Sequence, residues 1–440
     1  MAPSASDGHR WTNWAGNQVC APAAVDHPAT EEDLVASIRR AAADGQRVKV
    51  VGSGHSFTGT ALTDGRQIVL DRYHRLLSVD PNSGLVTVQA GITLRRLNAE
   101  LAQHGLAMPN LGDVAYQTIS GALATATHGT GISHGNLATQ IRGMRLISGD
   151  GSVVSCSADE EPEVFAAARV GLGALGVVST VTLQCVPAFD LHAVEAPERI
   201  DPLLADIDTH VEGNDHFELY WVPHTRWALT KRNNRTDLPR SRRPVWRELY
   251  EDVVVSNLAF GALCRLGRLS PQAIPRLMRT LPSTGPTDYV DRSDRVFTSP
   301  RLVRFYEMEY AVPREAGPEA LNRVRDLVGR SGLRLSFPVE VRFVAGDDIP
   351  LSPAFGRETC YIAVHVYQGT DFHQYFSGVE SIMDDYDGRP HWGKLHFQTA
   401  ETLAPRYPEW SRVQAVRARL DPDGRFANEY LDRVLGPVRA

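Results

Sequence analysis

An apolar run, Val48–Val51, opens directly into Gly52-Ser53-Gly54-His55-Ser56-Phe57, and this junction restricts the chain more than any other feature. Two glycines after a strand suggest a dinucleotide fold, with Asp71 as the ribose-binding acid. That fold requires a third glycine where Phe57 stands. It also requires a helix behind the loop, and Thr58–Arg66 has no apolar helical period. What survives is a strand feeding a Gly-Ser-Gly loop, whose successive backbone N–H groups can cradle a pyrophosphate as a nest.

The surrounding pattern is mixed. Thr30–Asp33 reads as a capping box for a helix through Leu34, Ile38 and Ala41 that stops at Gly45. Strands are predicted at Gln67–Asp71, Leu85–Ala90, Val153–Ser155 and Val177–Val186, and a second amphipathic helix at Leu94, Leu97 and Leu101 ends at Gly105. The stretch Asn110–Gly135 is too rich in Gly, Thr, Ser and His to be an ordinary core element. From about Leu191 longer strands appear, at His216–Val222, Val303–Ala311, Phe337–Val344 and Cys360–Tyr367, with helices at Glu315–Gly329 and Phe372–Tyr386. The reading is α+β in two domains, 11–190 for a cofactor and 191–440 for substrate. Residues from about 396 to 440 are candidates to return to the first domain.

Composition narrows the partners. A formal charge of −6 on 440 residues gives no electrostatic footprint for nucleic acid or an anionic membrane. No apolar run is long enough to span a bilayer, and Met1–Arg10 lacks a leader pattern. The expected location is the cytoplasm, with peripheral membrane association left open. Five scattered cysteines form no metal spacing and read as buried thiols. Only three lysines, Lys49, Lys231 and Lys394, stand against 43 arginines. A retained lysine in such a chain is a candidate for work that a planar guanidinium cannot do.

Val51-Gly-Ser-Gly-His55-Ser-Phe57 resembles the pyrophosphate loop of the vanillyl-alcohol-oxidase type of FAD flavoproteins, specifically the aldonolactone oxidase branch. Four further segments agree in order: Trp11-Thr-Asn-Trp14-Ala-Gly16, Gly121-Ala-Leu-Ala-Thr-Ala-Thr-His128-Gly-Thr-Gly131, Leu172-Gly-Ala-Leu-Gly-Val-Val178 and His391-Trp-Gly-Lys394. The resemblance implies a PCMH-type FAD-binding domain with an α+β cap. It implies FAD held by Val50, Val51, Gly52, Ser53, Gly54, His55 and Ser56, by Asp113, Thr118, Gly121, Thr125, Ala126, Thr127 and His128, and by Val178. His55 would be bonded to the flavin 8α carbon.

In the second domain, strict alternation over Pro338–Val344 puts Val339, Val341 and Phe343 on one strand face and Glu340 and Arg342 on the other. From residues alone this pair could be a solvated ion pair. The resemblance implies instead that it holds the hydroxyl being oxidised. Tyr361, Ala363, His365 and Tyr367 likewise share a face, and the resemblance makes His365 and Glu307 substrate-binding. Lys394 is implied as a cation beside the reacting hydroxyl and flavin, so the catalytic candidates are Glu340, Arg342 and Lys394. His391 and His396 fit no zinc spacing, and no metal is implied. Asp113 and His365 lean toward lactones over polyols, and Gly112 leaves oxygen permitted as acceptor.

The implied reaction oxidises the C2 carbinol of an aldono-1,4-lactone, L-gulono- or D-arabinono-, to an ascorbate-type product, with oxygen or another acceptor taking the electrons. The rivals are an alditol oxidase, a flavin oxidase tailoring a specialised metabolite, and a colourless scaffold or metal protein.

Overall fold

The structure, a computed structural model, describes residues 9–241, 260–280, 285–299 and 303–438. Of the Met1–Arg10 stretch read for a leader, only His9 and Arg10 fall within them. Strands β1 (Ala24–Asp26), β2 (Val48–Val51) and β3 (Arg66–Val69) make a small parallel sheet in the order β1-β3-β2. The connection between β1 and β2 is α1 (Glu31–Ala43), held by the predicted box: Asp33 N–H donates to Thr30 Oγ1, and the Asp33 carboxylate accepts the Thr30 N–H. Its buried face is Leu34, Ser37, Ile38 and Ala41, and Gly45 follows at φ +64°. Asp71 pairs on the surface with His27, consistent with rejecting it as a ribose acid.

A second sheet is antiparallel. It contains β4 (Leu76–Asp80), β5 (Leu85–Gln89), β6 (Ile141–Ile147), β7 (Val153–Ser157) and β8 (Val177–Gln184) in the order β7-β6-β8-β5-β4. Helix α2 (Leu94–Gln103) buries Leu94, Leu97 and Leu101 against it, and α3 (Ile119–Ala124) follows. The Asn110–Gly135 stretch departs from expectation. It is threaded through the core, with Leu111, Ile119, Leu123 and Ala126 buried. Its small residues permit close backbone approach: a Cβ on Gly129 would lie 2.2 Å from the Leu111 carbonyl oxygen.

The other half is one eight-stranded antiparallel sheet. Its strands are β9 (Asp190–Arg199), β10 (His216–Trp221), β11 (Trp227–Thr236), β12 (Thr287–Arg292), β13 (Phe305–Pro313), β14 (Val339–Val344), β15 (Thr359–Tyr367) and β16 (Arg389–Pro390), in the order β12-β9-β11-β10-β14-β15-β13-β16. Helices α4 (Gly317–Arg330) and α5 (His373–Asp384) cover one face. That face is apolar and includes Val339, Val341, Phe343, Ile362 and Val364, as alternation predicts. The opposite face carries Glu307, Glu309, Glu340, Arg342, Tyr361 and His365 toward the first half.

After β16 the chain packs into the core of the first sheet system. Trp392, Leu403, Tyr407, Leu420, Leu431 and Leu435 belong to the same buried cluster as Val86, Leu97 and Leu146. Helix α6 (Trp410–Leu420) leads to α7 (Glu429–Leu435), which is capped by Asn428. The Asn428 side chain accepts the Leu431 N–H at 2.9 Å and donates to the Gly59 and Leu62 carbonyls at 2.9 Å each. All five cysteines are unpaired; four are buried, while Cys20 is half-buried, short of the full burial expected. Among the described residues no helix is long and apolar enough to cross a membrane.

Asn428→Ala removes a helix cap and the donor to the Leu62 carbonyl, while the Gly59 carbonyl keeps the Leu62 N–H. The expected loss is about 2–4 kcal/mol of unfolding free energy, read from the denaturant midpoint. Asn428→Asp, which keeps the cap alone, should fall between; equal stability of all three proteins would contradict this role.

Candidate active site

A deep cleft runs from the end of β2 past Thr118 and Thr125 to Leu172–Gly176. The loop at its head is held by its carbonyls. Trp14 N–H donates to Gly54 O at 2.8 Å, Asn13 Nδ2 to Ser56 O at 2.9 Å, and Asn17 Nδ2 to Phe57 O at 2.9 Å. The donors face the other way: among the described residues no protein acceptor takes the N–H of Ser53, Gly54, His55 or Ser56. Four consecutive unpaired amides along a cleft are an anion nest. Gly52 is required by contact, since a Cβ there would lie 2.1 Å from Thr118 Oγ1, and Gly54 by its φ of +67°. This cradle fits the pyrophosphate of a dinucleotide cofactor.

His55 lines the cleft, and its ring nitrogens have no hydrogen-bond partner among the described residues. Burial, and then the Lys394 charge, push its pKa down to about 4, so the ring is neutral at physiological pH. Lys49 lies beneath the same cleft, donating to Phe426 O at 3.1 Å and Gly173 O at 3.3 Å. Burial and the Arg417 guanidinium lower its ammonium to about 7.

The polar face of the large sheet supplies the second wall. On β14, Arg342 Nη2 lies 2.5 Å from Glu340 Oε1, and Arg342 Nε lies 2.8 Å from Glu218 Oε2 on β10. Tyr220 donates to both carboxylates, at 3.0 Å to Glu218 and 3.3 Å to Glu340. On β13, Glu307 pairs with Lys394 and lies 3.3 Å from His365 Nε2. Burial alone would raise the Glu307 pKa, but Lys394 and then His365 outweigh it and hold the carboxyl at about 2. Burial also opposes the charge on Lys394, and Glu307 followed by Glu309 overcomes it, raising the ammonium above its ordinary value. Two residues along β13, Glu309 lies 3.2 Å from His128 Nε2.

Hydrogen bonding fixes the protons. His128 Nδ1 donates to Gly129 O at 2.8 Å and His365 Nδ1 to Pro338 O at 3.2 Å, which turns the Nε2 edge of each ring toward a carboxylate. Glu309, His128 and His391 lie close enough to suggest a metal triad. However, the lone pair of His391 Nδ1 takes the Gly393 N–H at 3.0 Å, which leaves the proton on Nε2 and no free lone pair for a metal. His396 is turned away, onto the Tyr430 hydroxyl at 3.1 Å.

Val50, Val51, Gly52, Ser53, Gly54, His55, Ser56, Thr118, Gly121, Thr125 and Val178 all line the cleft. Ala126, Thr127 and His128 are buried and do not line the cleft; Ala126 is in the core at φ +59°. Asp113 faces the second wall, with Oδ2 4.0 Å from Arg342 Nη2. Gly112 has a packing reason, because its Cβ would meet His128 O at 3.0 Å and Thr127 Cγ2 at 3.2 Å. The sequence reading named Trp14 without a role and missed Glu218, Tyr220, Glu309 and the Lys231 ion pair with Glu195 at 3.4 Å. The lysine scarcity pointed to Lys231, and the two-residue period from Glu307 pointed to Glu309.

The sequence profile of the D-arabinono-1,4-lactone oxidase family matches residues 181–434, and that of a FAD binding domain matches residues 22–157. The chain is 50% identical to L-gulono-1,4-lactone dehydrogenase of Mycobacterium tuberculosis, covering 97% of this chain and 99% of that one. It is 36% identical to L-gulonolactone oxidase of Bos taurus, over 97% and 98% of the two chains. Among solved structures, a solvent-stable cholesterol oxidase superposes with a TM-score of 0.82 over 97% of each chain, at 17% identity, which bears on the fold alone.

Gly52→Ala should displace Thr118 from the cleft wall and abolish retention of bound flavin, seen as a purified protein without the visible absorption bands. Full flavin content in that variant would mean the cleft is not the cofactor site.

Proposed function

The chain belongs to the aldonolactone oxidase family of FAD enzymes and oxidises sugar lactones; we propose that L-gulono-1,4-lactone is its substrate and that its flavin is bonded to His55. The fold is the two-part α+β architecture of the vanillyl-alcohol-oxidase type. The observation that carries the reading is the convergence of two walls. A nest of unpaired amides with a neutral, unengaged histidine faces a row of buried, paired charges on one sheet face.

Bound FAD supplies a hydride acceptor. The residues supply orientation and charge. Glu340 and Arg342, fixed by Glu218 and Tyr220, hold the C2 hydroxyl and assist removal of its proton. Lys394 remains charged because Glu307 stays ionised beneath it, giving a fixed cation where negative charge develops. His365, tied at both nitrogens to Pro338 O and Glu307, presents a rigid edge to the lactone ring. Asp113, 4.0 Å from Arg342 Nη2, adds a further carboxylate beside the groups that would hold the hydroxyl. The high identity to a gulonolactone enzyme supports L-gulono-1,4-lactone over the D-arabinono compound. A cytoplasmic location and a role in making an ascorbate-type product are parts of the same proposal.

Steady-state rates on L-gulono-1,4-lactone should exceed those on xylitol by roughly 100-fold or more, since a site built for one polar pattern rejects another strongly. Comparable rates would favour the alditol oxidase. Stopped-flow reoxidation by oxygen against a one-electron dye identifies the acceptor. Glu340→Gln and Lys394→Arg should each slow flavin reduction by about 10²–10³ with a smaller change in substrate affinity. Wild-type reduction rates for Lys394→Arg would remove Lys394 from the site.

Acid precipitation should leave the yellow colour in the protein pellet, and His55→Ala should release it to the supernatant. Because burial and then the Lys394 charge lower the His55 pKa to about 4, attachment should not vary with pH above about 5 and should slow progressively as pH falls through 4. Colour lost to the supernatant from wild type would rule out the linkage.

A further inference from the structure

Among the described residues, the ring contact made by His55 is with Trp14: the two are stacked at 5.5 Å between centroids, with planes 27° apart. The indole is itself braced edge-on by Phe305 at 5.3 Å and Phe57 at 6.3 Å, so it cannot turn freely. Its backbone adds the 2.8 Å bond from Trp14 N–H to Gly54 O, and Gln368 of the large-sheet half donates to Ala15 O at 2.7 Å. One face of the imidazole is thus pinned, while neither nitrogen has a hydrogen-bond partner among the described residues. An imidazole in a glycine-flanked loop would otherwise sample several rotamers, and a nucleophile free to rotate loses the benefit of proximity.

We propose that Trp14 is the positioning residue for covalent flavin attachment, its indole face holding the His55 ring so that a free nitrogen points into the cleft. The proposal rests on the reading of His55 as the flavin link. In the step served, a bond forms between an imidazole nitrogen and the flavin 8α carbon. The imidazole N–H and one 8α C–H are broken, and two electrons and two protons pass to the flavin ring. Dioxygen then removes them as hydrogen peroxide, leaving oxidised flavin bonded to His55. A neutral histidine, favoured by the burial that lowers its pKa to about 4, has the lone pair this requires.

The test compares wild type, Trp14→Phe, Trp14→Ala and His55→Ala, purified as holoproteins, for total bound flavin and the fraction that stays with acid-precipitated protein. The bond from residue 14 N–H to Gly54 O needs no indole, so the nest and its FAD should survive in Trp14→Ala. Expected are near-stoichiometric flavin in all four, a linked fraction lowered about 10-fold or more in Trp14→Ala, and recovery in Trp14→Phe, which restores a ring face. A wild-type linked fraction in Trp14→Ala overturns the proposal, as does Trp14→Phe linking no better than Trp14→Ala. Loss of all flavin from Trp14→Ala, with Trp14→Phe equally empty, also overturns it, because the residue would then serve binding. Unlinked flavin in wild type instead overturns the reading of His55.

Discussion

Four amide N–H groups in a row, from Ser53 to Ser56, have no acceptor among the described residues, and the contacts around the loop keep them so. A polar backbone left unpaired costs about 1–3 kcal/mol per group once water is excluded. A loop in that state would ordinarily refold onto itself. It is prevented from doing so by tying its carbonyls to Asn13, Trp14 and Asn17, its last N–H to Gly393 O, and its first glycine against Thr118. Binding energy from a pyrophosphate is what that arrangement holds in reserve.

The second wall poses the inverse problem, of charges rather than dipoles. Glu218, Glu307, Glu309 and Glu340 are all buried, and each faces a cationic side chain or a histidine ring. Such pairs add little net stability, because desolvation consumes most of the attraction, yet breaking one typically costs about 3–5 kcal/mol. Their retention in a sheet face that could have been apolar is explained by chemistry. A dry site makes fixed charge act strongly on a transition state.

Much of this could be read from the sequence, for identifiable reasons. The α1 box, the Glu340/Arg342 face and the β15 face follow from local periodicities of 3.6 and 2. The three lysines all proved to be interior or engaged in ion pairs, so a compositional bias carried positional information. What escaped was long-range. Glu218 meets Arg342 across two adjacent strands that are distant in the chain, and Trp14 meets His55 only after the N-terminal segment folds over the loop. Asn110–Gly135 was misjudged because small residues report close backbone approach without saying to what. Gly112 likewise sits close to His128 O, a contact between residues 16 apart that local sequence does not report.

The return of the chain after β16 carries a consequence for biogenesis. Trp392 and α7 complete the hydrophobic interior that begins with the strands before residue 190, and Asn428 ties down the turn just beyond the cofactor loop. Domains usually mature in the order they leave the ribosome. Here the first half of the polypeptide must wait, with part of its interior uncovered, until the last tenth has been made. The nascent chain therefore carries that apolar surface uncovered until residues 392–435 can reach it.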